Sequence, residues 1–278
     1  MIEAVVEGVG LHSGQPARVI VRARPGPVTL RVGGLEARID ELTVGSTARA
    51  TTVEARGRAR DGARAGPFRV GTVEHAFAAL AGLGIYEGLG MDVEGPELPL
   101  LDGGASAWCA VIDGLGVMAS APRTRVARRE VLTIGPSRYE FCTGEGVRLE
   151  VRLELAGFDE RVVAPEAHWD GDASDFRARI APARTFALGR DVDELAARGL
   201  ARHVDPTSVV VLTPDGALSA GRPFEPDEPA RHKLLDLVGD LYLYGGPPVG
   251  HVRAVRPGHA ANALAMRRAR DEGIVVSD

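Results

Sequence analysis

Two side chains that commonly bind metal ions, His232 and Asp236, lie four positions apart within residues 229–242. Apolar residues recur at helical spacing in that stretch and predict a long helix. Side chains four positions apart share one helix face, with Cβ atoms about 5–6 Å apart. An imidazole and a carboxylate placed in this way form part of a zinc site with three protein ligands. The same spacing fits an ion pair on an exposed helix, and the pair alone favours that simpler interpretation.

A second polar pair, Glu74 and His75, begins an alanine-rich segment, residues 73–83, which predicts a helix with Thr72 as its cap. A carboxylate beside a candidate ligand could act as a general base near a metal ion. The alternative is a polar helix start, where the helix dipole favours the negative charge of Glu74. Taken alone, this pair also favours the structural interpretation.

Two further polar residues lie where strands meet turns. His259 follows Pro257-Gly258 at a predicted strand-to-helix turn, where a histidine could be a general acid or a helix cap. Thr185 lies between Arg184 and Phe186, so its hydroxyl could bond a substrate or belong to an ordinary packed strand. Spacing alone leaves both alternatives open for each residue.

The composition excludes several classes of protein. The 278 residues include 33 Lys and Arg and 38 Asp and Glu, for a net charge of −5, whereas nucleic-acid-binding proteins are usually basic. Two cysteines, Cys109 and Cys142, form neither a disulfide framework nor a zinc knuckle, and they fit free thiols in a reducing compartment. No signal peptide and no apolar run of ~20 residues is present in the sequence. We therefore expect a cytoplasmic protein with no integral membrane segment and no nucleic-acid partner.

The first half of the chain begins with strand patterns and continues with helix patterns. Residues 17–21 and 28–32 alternate with period two, and the turn at residues 25–27 predicts that they pair as a hairpin. Residues 56–66 lack apolar periodicity and predict an exposed loop. A short strand at 91–93 and a second helix at 105–115 follow, and residues 119–124 resemble a linker.

The second half repeats this order. Strands are predicted at residues 130–134, 138–142, 147–155, 208–212 and 250–255, and helices at 191–198, 229–242 and 259–269. Because both halves read as strands followed by helices, the sequence predicts an α+β protein of two similar domains. We place these domains at residues 1–119 and 125–278, with an insert in the second domain around 187–215.

Six stretches together resemble the UDP-3-O-acyl-N-acetylglucosamine deacetylases, the zinc amidases of lipid A biosynthesis. They fall in the order found in that family and extend over almost the whole chain. The stretches are GVGLHSG (8–14), TVEHAFAALAGLGI (72–85), PELPLLDGGASAW (96–108), ARTFALGRD (183–191), RHKLLDLVGDLYLYG (231–245) and PGHAANALAMRRA (257–269).

The resemblance implies two similar α+β domains packed helix layer to helix layer, as a β-α-α-β sandwich with zinc at the interface. It implies His75, His232 and Asp236 as the zinc ligands, although a site of nitrogen and oxygen ligands also accepts Fe²⁺. The implied substrate is a UDP-linked, acylated amino sugar, whose acetamide is hydrolysed to release acetate. We expect a monomer.

The resemblance also implies roles for residues around the metal. Glu74 would deprotonate the attacking water, and His259 would be the protonated partner that aids the tetrahedral intermediate and the leaving amine. Asp240, four residues after Asp236, would orient His259 and keep it charged. The residues implied to contact the substrate are Thr185, which bonds the oxyanion, Lys233, the single lysine of the chain and a cation beside the substrate, and Phe186, a stacking surface near the sugar.

Three segments depart from the family pattern. Arg49 stands where an apolar residue is more usual, residues 157–160 replace a Phe-Asp/Asn-His-Pro-like segment, and residues 201–207 replace a Gly-Gly-Ser-like turn. These departures bear on the acyl chain and leave the zinc, base and acid positions intact. Two alternatives therefore stay open: a paralogous zinc deacetylase for another acylated or nucleotide amino sugar, and a non-catalytic binding or regulatory homologue.

Overall fold

The computed structural model describes residues 2–62, 65–120, 123–155, 157–158, 163–192 and 203–277. The first large sheet has eight strands: β1 (Glu3–Val9), β2 (Pro16–Pro27), β3 (Thr29–Val32), β4 (Leu35–Arg38), β5 (Thr43–Ser46), β6 (Thr52–Arg58), β7 (Ala65–Val70) and β8 (Glu87–Glu94). Their order is β1-β2-β8-β3-β4-β6-β5, and β7 pairs with β6.

The second large sheet has five strands: β10 (Glu130–Ile134), β11 (Ser137–Cys142), β12 (Val147–Arg152), β13 (Glu166–Trp169) and β17 (Gly250–Val255). Their order is β10-β11-β17-β12-β13. Two small sheets complete the described strands: β14 (Thr185–Leu188) with β15 (Val209–Thr213) and β16 (Gly216–Leu218), and β9 (Thr124–Val126) with β18 (Val275–Ser277).

Four helices of nine residues or more lie within the described residues: α1 (Glu74–Gly82), α2 (Ser106–Gly114), α3 (Glu228–Tyr242) and α4 (His259–Asp271). Helix α1 packs along α3, and α3 also contacts α4, β12 and β13. Every residue of α1 is buried, as is every residue of α3 except Lys233. In the described part of the chain, none of the helices has the length and apolar character needed to cross a bilayer.

The mixture of sheets and helices confirms the predicted α+β class, and several elements lie where the sequence predicts them. The helix predicted at 229–242 is α3, and the strand predicted at 250–255 is β17. The helices predicted at 105–115 and 259–269 are α2 and α4, within two residues at each end. The helix predicted at 191–198 falls largely on residues 193–198, which lie outside the described residues, as do 159–160 and 201–202.

The predicted hairpin between residues 17–21 and 28–32 is wrong, although both segments are strands. Strand β2 pairs antiparallel with β8 and β3 pairs parallel with it, so β8 lies between them. The chain leaves β2 at Pro27, opposite Glu87, and runs in β3 from Thr29, which lies beside Gly90. Turn residues indicate a local change in chain direction. They do not indicate whether a later strand lies between the two strands that the turn connects.

The loop predicted at residues 56–66 is also wrong for most of its length. Residues 56–58 belong to β6, 65–66 belong to β7, and the two strands pair antiparallel with Gly57 opposite Gly66. Main-chain hydrogen bonds hold this pair, so the segment needs no apolar alternation. A side chain at Gly57 would place Cβ 2.7 Å from the ring of Phe68, which explains the small residue at this buried position.

Thr72 does not cap α1 as predicted. The N-cap residue is Val73, and no side chain caps the helix. Thr72 has a φ of 54°, and its hydroxyl donates instead to the Glu97 carboxylate at 2.6 Å. Glu97 also accepts the backbone amides of His12 and Ser13. The side chain of Thr72 therefore fixes the GVGLHSG segment beside the start of α1.

Candidate active site

The close approach of α1 and α3 depends on Gly239. A Cβ atom at this position would lie 2.0 Å from the carbonyl oxygen of Glu74 and 3.1 Å from the amide of Ala78. The two helix backbones therefore touch without an intervening side chain. This contact brings the first residues of α1, Glu74 and His75, beside the middle of α3.

His75, His232 and Asp236 form a cluster at this contact. One ligand atom from each residue lies within 4.8 Å of the others, and all three residues are buried. Asp236 Oδ1 is 3.4 Å from His232 Nε2 and 3.9 Å from His75 Nε2. The two residues from α3 share one face because they are four positions apart, as the sequence predicts.

The hydrogen bonds and pKa values of the cluster fit a bound cation. The carbonyl of Ala183 accepts a hydrogen bond from His232 Nδ1 at 3.0 Å, which leaves the Nε2 lone pair free. His75 Nδ1 and Asp236 Oδ1 are buried and have no hydrogen-bond partner in the part of the chain that the structure describes. Burial, together with the nearby His232, lowers the pKa of His75 to about 3, and burial also lowers the pKa of His232. Neutral imidazoles and an unpartnered carboxylate oxygen are the donors that a divalent metal requires.

Lys233 lies beside this cluster and is the one residue of α3 that is not buried. Its Nζ donates to Asp236 Oδ2 at 2.8 Å and lies 5.5 Å from the centroid of the Phe186 ring. Burial would raise the pKa of Asp236, but the positive charges of Lys233 and His259 lower it well below its usual value. Burial would lower the pKa of Lys233, yet the Asp236 carboxylate raises it. Both groups are therefore charged at neutral pH.

Glu74 lies next to the cluster with one oxygen fixed and one facing another titratable group. Its Oε2 accepts the backbone amide of Thr51 at 3.0 Å, and its Oε1 is 3.8 Å from His259 Nε2. Burial raises the pKa of Glu74 to about 7, and the positive charge at His259 limits the rise. The carboxyl group can therefore exchange a proton near neutral pH.

His259 is oriented by a chain of buried hydrogen bonds. Its Nδ1 donates to Asp240 Oδ2 at 3.0 Å, and Asn262 Nδ2 donates to the same oxygen at 2.8 Å. The Tyr139 hydroxyl in turn donates to Asn262 Oδ1 at 2.6 Å. Burial disfavours the charged imidazole, but Asp240 and Asp236 outweigh it and raise the pKa of His259 to about 10. His259 is thus a cation at neutral pH.

The ARTF segment reaches the cluster through its main chain and its aromatic ring. Ala183 accepts the His232 bond described above, and the Phe186 ring lies 6.3 Å from the His232 ring, centroid to centroid. Between them, the Arg184 guanidinium pairs with Glu228, the first residue of α3, and both side chains are almost completely buried. The amide of Thr185 donates to the carbonyl of Gly103. Arg184 therefore fixes this strand to the start of α3.

The structure brings together the residues that the sequence singles out, and it adds others. The predicted set of His75, His232, Asp236, Glu74, Lys233, Asp240 and His259 lies around the α1–α3 contact. Sequence reasoning missed Thr51, Asn262, Tyr139 and the carbonyl of Ala183. A signal existed for Asn262, which lies three residues after His259 and so shares its helix face. Thr51 and Tyr139 have no local signal, since their partners are distant in the chain.

A buried His-His-Asp cluster beside a carboxylate and a charged imidazole is typical of metal-dependent hydrolases. Residues 2–270 match the family LpxC, UDP-3-O-acyl N-acetylglycosamine deacetylase. The chain is 35% identical over 277 residues to the UDP-3-O-acyl-N-acetylglucosamine deacetylase of Myxococcus xanthus (strain DK1622), covering 95% of this chain and 83% of that relative. It is 33% identical over 279 residues to the protein of the same name from Brucella melitensis biotype 2 (strain ATCC 23457), covering 94% and 91%. The chain belongs to this deacetylase family.

Proposed function

We propose that the protein hydrolyses the acetamide of UDP-3-O-acyl-N-acetylglucosamine in lipid A biosynthesis, releasing acetate and UDP-3-O-acyl-glucosamine. The observation that carries this proposal is the buried His-His-Asp cluster, with an unpartnered carboxylate oxygen, in a chain of the deacetylase family. The protein works as a monomer in the cytoplasm, on a UDP-linked, acylated amino sugar.

The metal in this proposal is Zn²⁺, held by His75, His232 and Asp236. Three protein ligands of this type, with room for a further ligand, suit a catalytic zinc site, and Fe²⁺ binds the same donor set. When bound, such a cation polarises an amide carbonyl and lowers the pKa of water. The unpartnered Oδ1 of Asp236, which faces the Nε2 atoms of both histidines, supports this assignment.

Glu74 is the general base. Its Oε2 is held by the Thr51 amide, so Oε1 is the oxygen that takes the proton of the attacking water. A pKa of about 7 lets the carboxylate accept this proton and release it within one reaction cycle. The burial that raises this pKa also keeps bulk water away from the proton.

His259 is the general acid. Its Nε2 holds a proton and faces Glu74 Oε1, while Nδ1 is bound to Asp240. The proton on Nε2 passes to the leaving amine as the C–N bond breaks. Asp240 keeps the imidazole charged until that step, because a carboxylate next to an imidazole favours its protonated form.

Three further residues contact the substrate in this proposal. The Thr185 hydroxyl donates to the oxyanion that forms on the acetamide. Phe186 supplies an aromatic surface near the sugar, and Lys233 a fixed cation beside it. The position of Phe186 near both His232 and Lys233 supports these roles.

The same proposal divides the chain into two α+β units, residues 1–119 and 125–278, the second with an insert around 187–215. The eight-stranded sheet is built from residues 3–94, and the five-stranded sheet from residues 130–255. The units pack helix layer to helix layer as a β-α-α-β sandwich, with the metal site between α1 and α3. The contact between these helices supports this arrangement.

A second candidate is a paralogous deacetylase for another acylated or nucleotide amino sugar. It is favoured by Arg49, which is exposed on the loop before Thr51 and has a φ of 78°. The charge of Arg49 acts on His12, whose pKa is lowered mainly by burial. An exposed cation two residues before Thr51 suits an anionic or polar substrate group better than an acyl chain.

Acetate release from UDP-N-acetylglucosamine with and without a 3-O-hydroxyacyl chain tests these candidates. We expect the zinc-loaded chain to act on the acylated substrate and far more slowly on the other. Equal rates on both would favour the paralogue, and no release by zinc-loaded protein would indicate a binding homologue. The matched control is Glu74→Ala, which should retain one zinc per chain and lose most turnover; unchanged turnover would refute Glu74 as the base.

A further inference from the structure

Thr51 uses all three of its polar groups within the site region. Its amide donates to Glu74 Oε2 at 3.0 Å, and its hydroxyl donates to Asp240 Oδ1 at 2.5 Å. Its carbonyl accepts the amide of Val73, the N-cap residue of α1, at 3.2 Å. The residue is 2% exposed. One buried residue thus touches both the carboxylate proposed as base and the carboxylate that orients the proposed acid.

These bonds join groups that come from distant parts of the chain. Glu74 begins α1, whereas Asp240 lies in α3 and holds His259 at the start of α4. Asp240 Oδ2 accepts hydrogen bonds from His259 and Asn262, and Asp240 Oδ1 accepts the hydrogen bond from Thr51. Without the Thr51 hydroxyl, a buried carboxylate oxygen would lose its partner, which favours rotation of the carboxylate.

We propose that Thr51 is a positioning residue that sets the separation between the general base Glu74 and the general acid His259. This inference rests on the proposed function. The Thr51 amide leaves Glu74 Oε1 free to face His259 Nε2 at 3.8 Å, and the Thr51 hydroxyl fixes the carboxylate on the far side of His259. One residue therefore holds both groups: its main-chain amide fixes the base, and its side-chain hydroxyl fixes the carboxylate that orients the acid.

The test compares Thr51→Val, Thr51→Ser and the neighbouring Thr52→Val in the full-length, zinc-loaded protein. Valine has the shape of threonine without the hydroxyl, while serine keeps the hydroxyl. Thr52→Val makes the same chemical change one residue away, where the side chain lies near Gly71. We expect Thr51→Val to lower kcat for acetate release about 10–100-fold, the range typical of residues that orient a reacting group. KM and bound zinc per chain should stay close to those of the wild type, whereas Tm should fall by a few degrees because a buried carboxylate oxygen loses its donor.

Thr51→Ser should recover most of kcat, and Thr52→Val should leave it unchanged. A wild-type kcat in Thr51→Val would overturn the proposal, as would a loss of zinc or a rise in KM that matches the loss of kcat. Failure of Thr51→Ser to exceed Thr51→Val would overturn it too.

A second measurement separates this proposal from the proposed function. The ¹H NMR resonance of the His259 Nδ1 proton reports its bond to Asp240 even in a protein that releases no acetate. We expect Thr51→Val to shift or broaden this resonance, and Thr51→Ser and Thr52→Val to retain it. If the wild type shows no deacetylation but these shifts occur, the positioning of His259 stands and the assigned reaction fails. An unshifted resonance in Thr51→Val would overturn the positioning role.

Discussion

Asp236 and Asp240 lie one helical turn apart on α3, both buried, yet their hydrogen bonds differ. Among the described residues, Asp236 Oδ1 has no hydrogen-bond partner, and Asp236 Oδ2 accepts a hydrogen bond from the Lys233 ammonium. Asp240 has both oxygens occupied, by Thr51 on one side and by His259 and Asn262 on the other. Two aspartates on one helix therefore differ in whether hydrogen bonds occupy one or both of their carboxylate oxygens.

Because of this difference, Asp236 has an oxygen available to bind a metal ion, whereas Asp240 is suited to orienting His259. A buried charge is costly unless donors or ions compensate it. Fixed donors of the protein compensate Asp240, which leaves it no free oxygen for a ligand. Asp236 keeps a free oxygen beside two neutral imidazoles, and in the proposed site a metal ion would complete its compensation. The roles proposed for the two residues, metal binding for Asp236 and orientation of the acid for Asp240, follow from these partners.

The largest difference between the two aspartates is expected when each is replaced with asparagine. Asp236→Asn should weaken zinc affinity by more than about 100-fold, because it removes a charged ligand, whereas residues that only orient ligands typically contribute 10–100-fold. Asp240→Asn should change affinity by less than about tenfold. Competition with a chromophoric chelator measures both values. Equal losses in the two variants would contradict the separate roles.

The pH dependence of turnover gives the next largest effect. His259, the proposed acid, must be protonated to act, so we expect its pKa of about 10 to set the alkaline limb of the kcat/KM profile. Asp240→Asn removes a negative charge that raises this pKa, so the pKa falls and the limb moves to lower pH. At pH 8 we expect a loss of about 10–100-fold.

His259→Ala is the companion variant for this profile. It should abolish the alkaline limb, since no group at this position then titrates. An alkaline limb that stays at its wild-type pH in both variants would exclude His259 as the acid.

The smallest expected effect concerns Lys233, the partner that Asp236 has and Asp240 lacks. Lys233→Arg should keep the fold and the zinc but lower deacetylation about tenfold, because a planar guanidinium does not fit the place of a compact ammonium between Asp236 and Phe186. Arg267→Lys is the matched control on the exposed face of α4, and it should be neutral. Full activity of Lys233→Arg would show that the ammonium has no special role.

The sequence predicts elements whose evidence is local. Helix α3 and strand β17 carry strong periodic patterns, and both lie where expected. The hairpin predicted for residues 17–32 is wrong because β8, which lies between the two strands, comes much later in the chain. The loop predicted for residues 56–66 is wrong because main-chain hydrogen bonds form a strand pair there. Such bonds leave no pattern of apolar side chains in the sequence.

The candidate site shows the same limit. His232 and Asp236 share a helix face, so their proximity follows from spacing. The approach of His75 does not follow from spacing, since it depends on the contact at Gly239, and a glycine inside a helix pattern has several explanations. The contacts of Thr51 are harder still to predict from the sequence, because they form only when α1 and α3 have docked.

The hydrogen bond from Thr51 to Asp240 also bears on the order of folding, because it spans 189 positions in the chain. Closing a flexible loop of that length costs roughly 5 kcal/mol of entropy, far more than one hydrogen bond returns. The apolar contact of α1 with α3 must therefore form first, and the buried polar network forms only after the helices meet. We expect substitutions at Thr51 and Asn262 to speed unfolding and to leave the folding rate almost unchanged. The groups assigned to catalysis would then be the last part of the molecule to take its final shape.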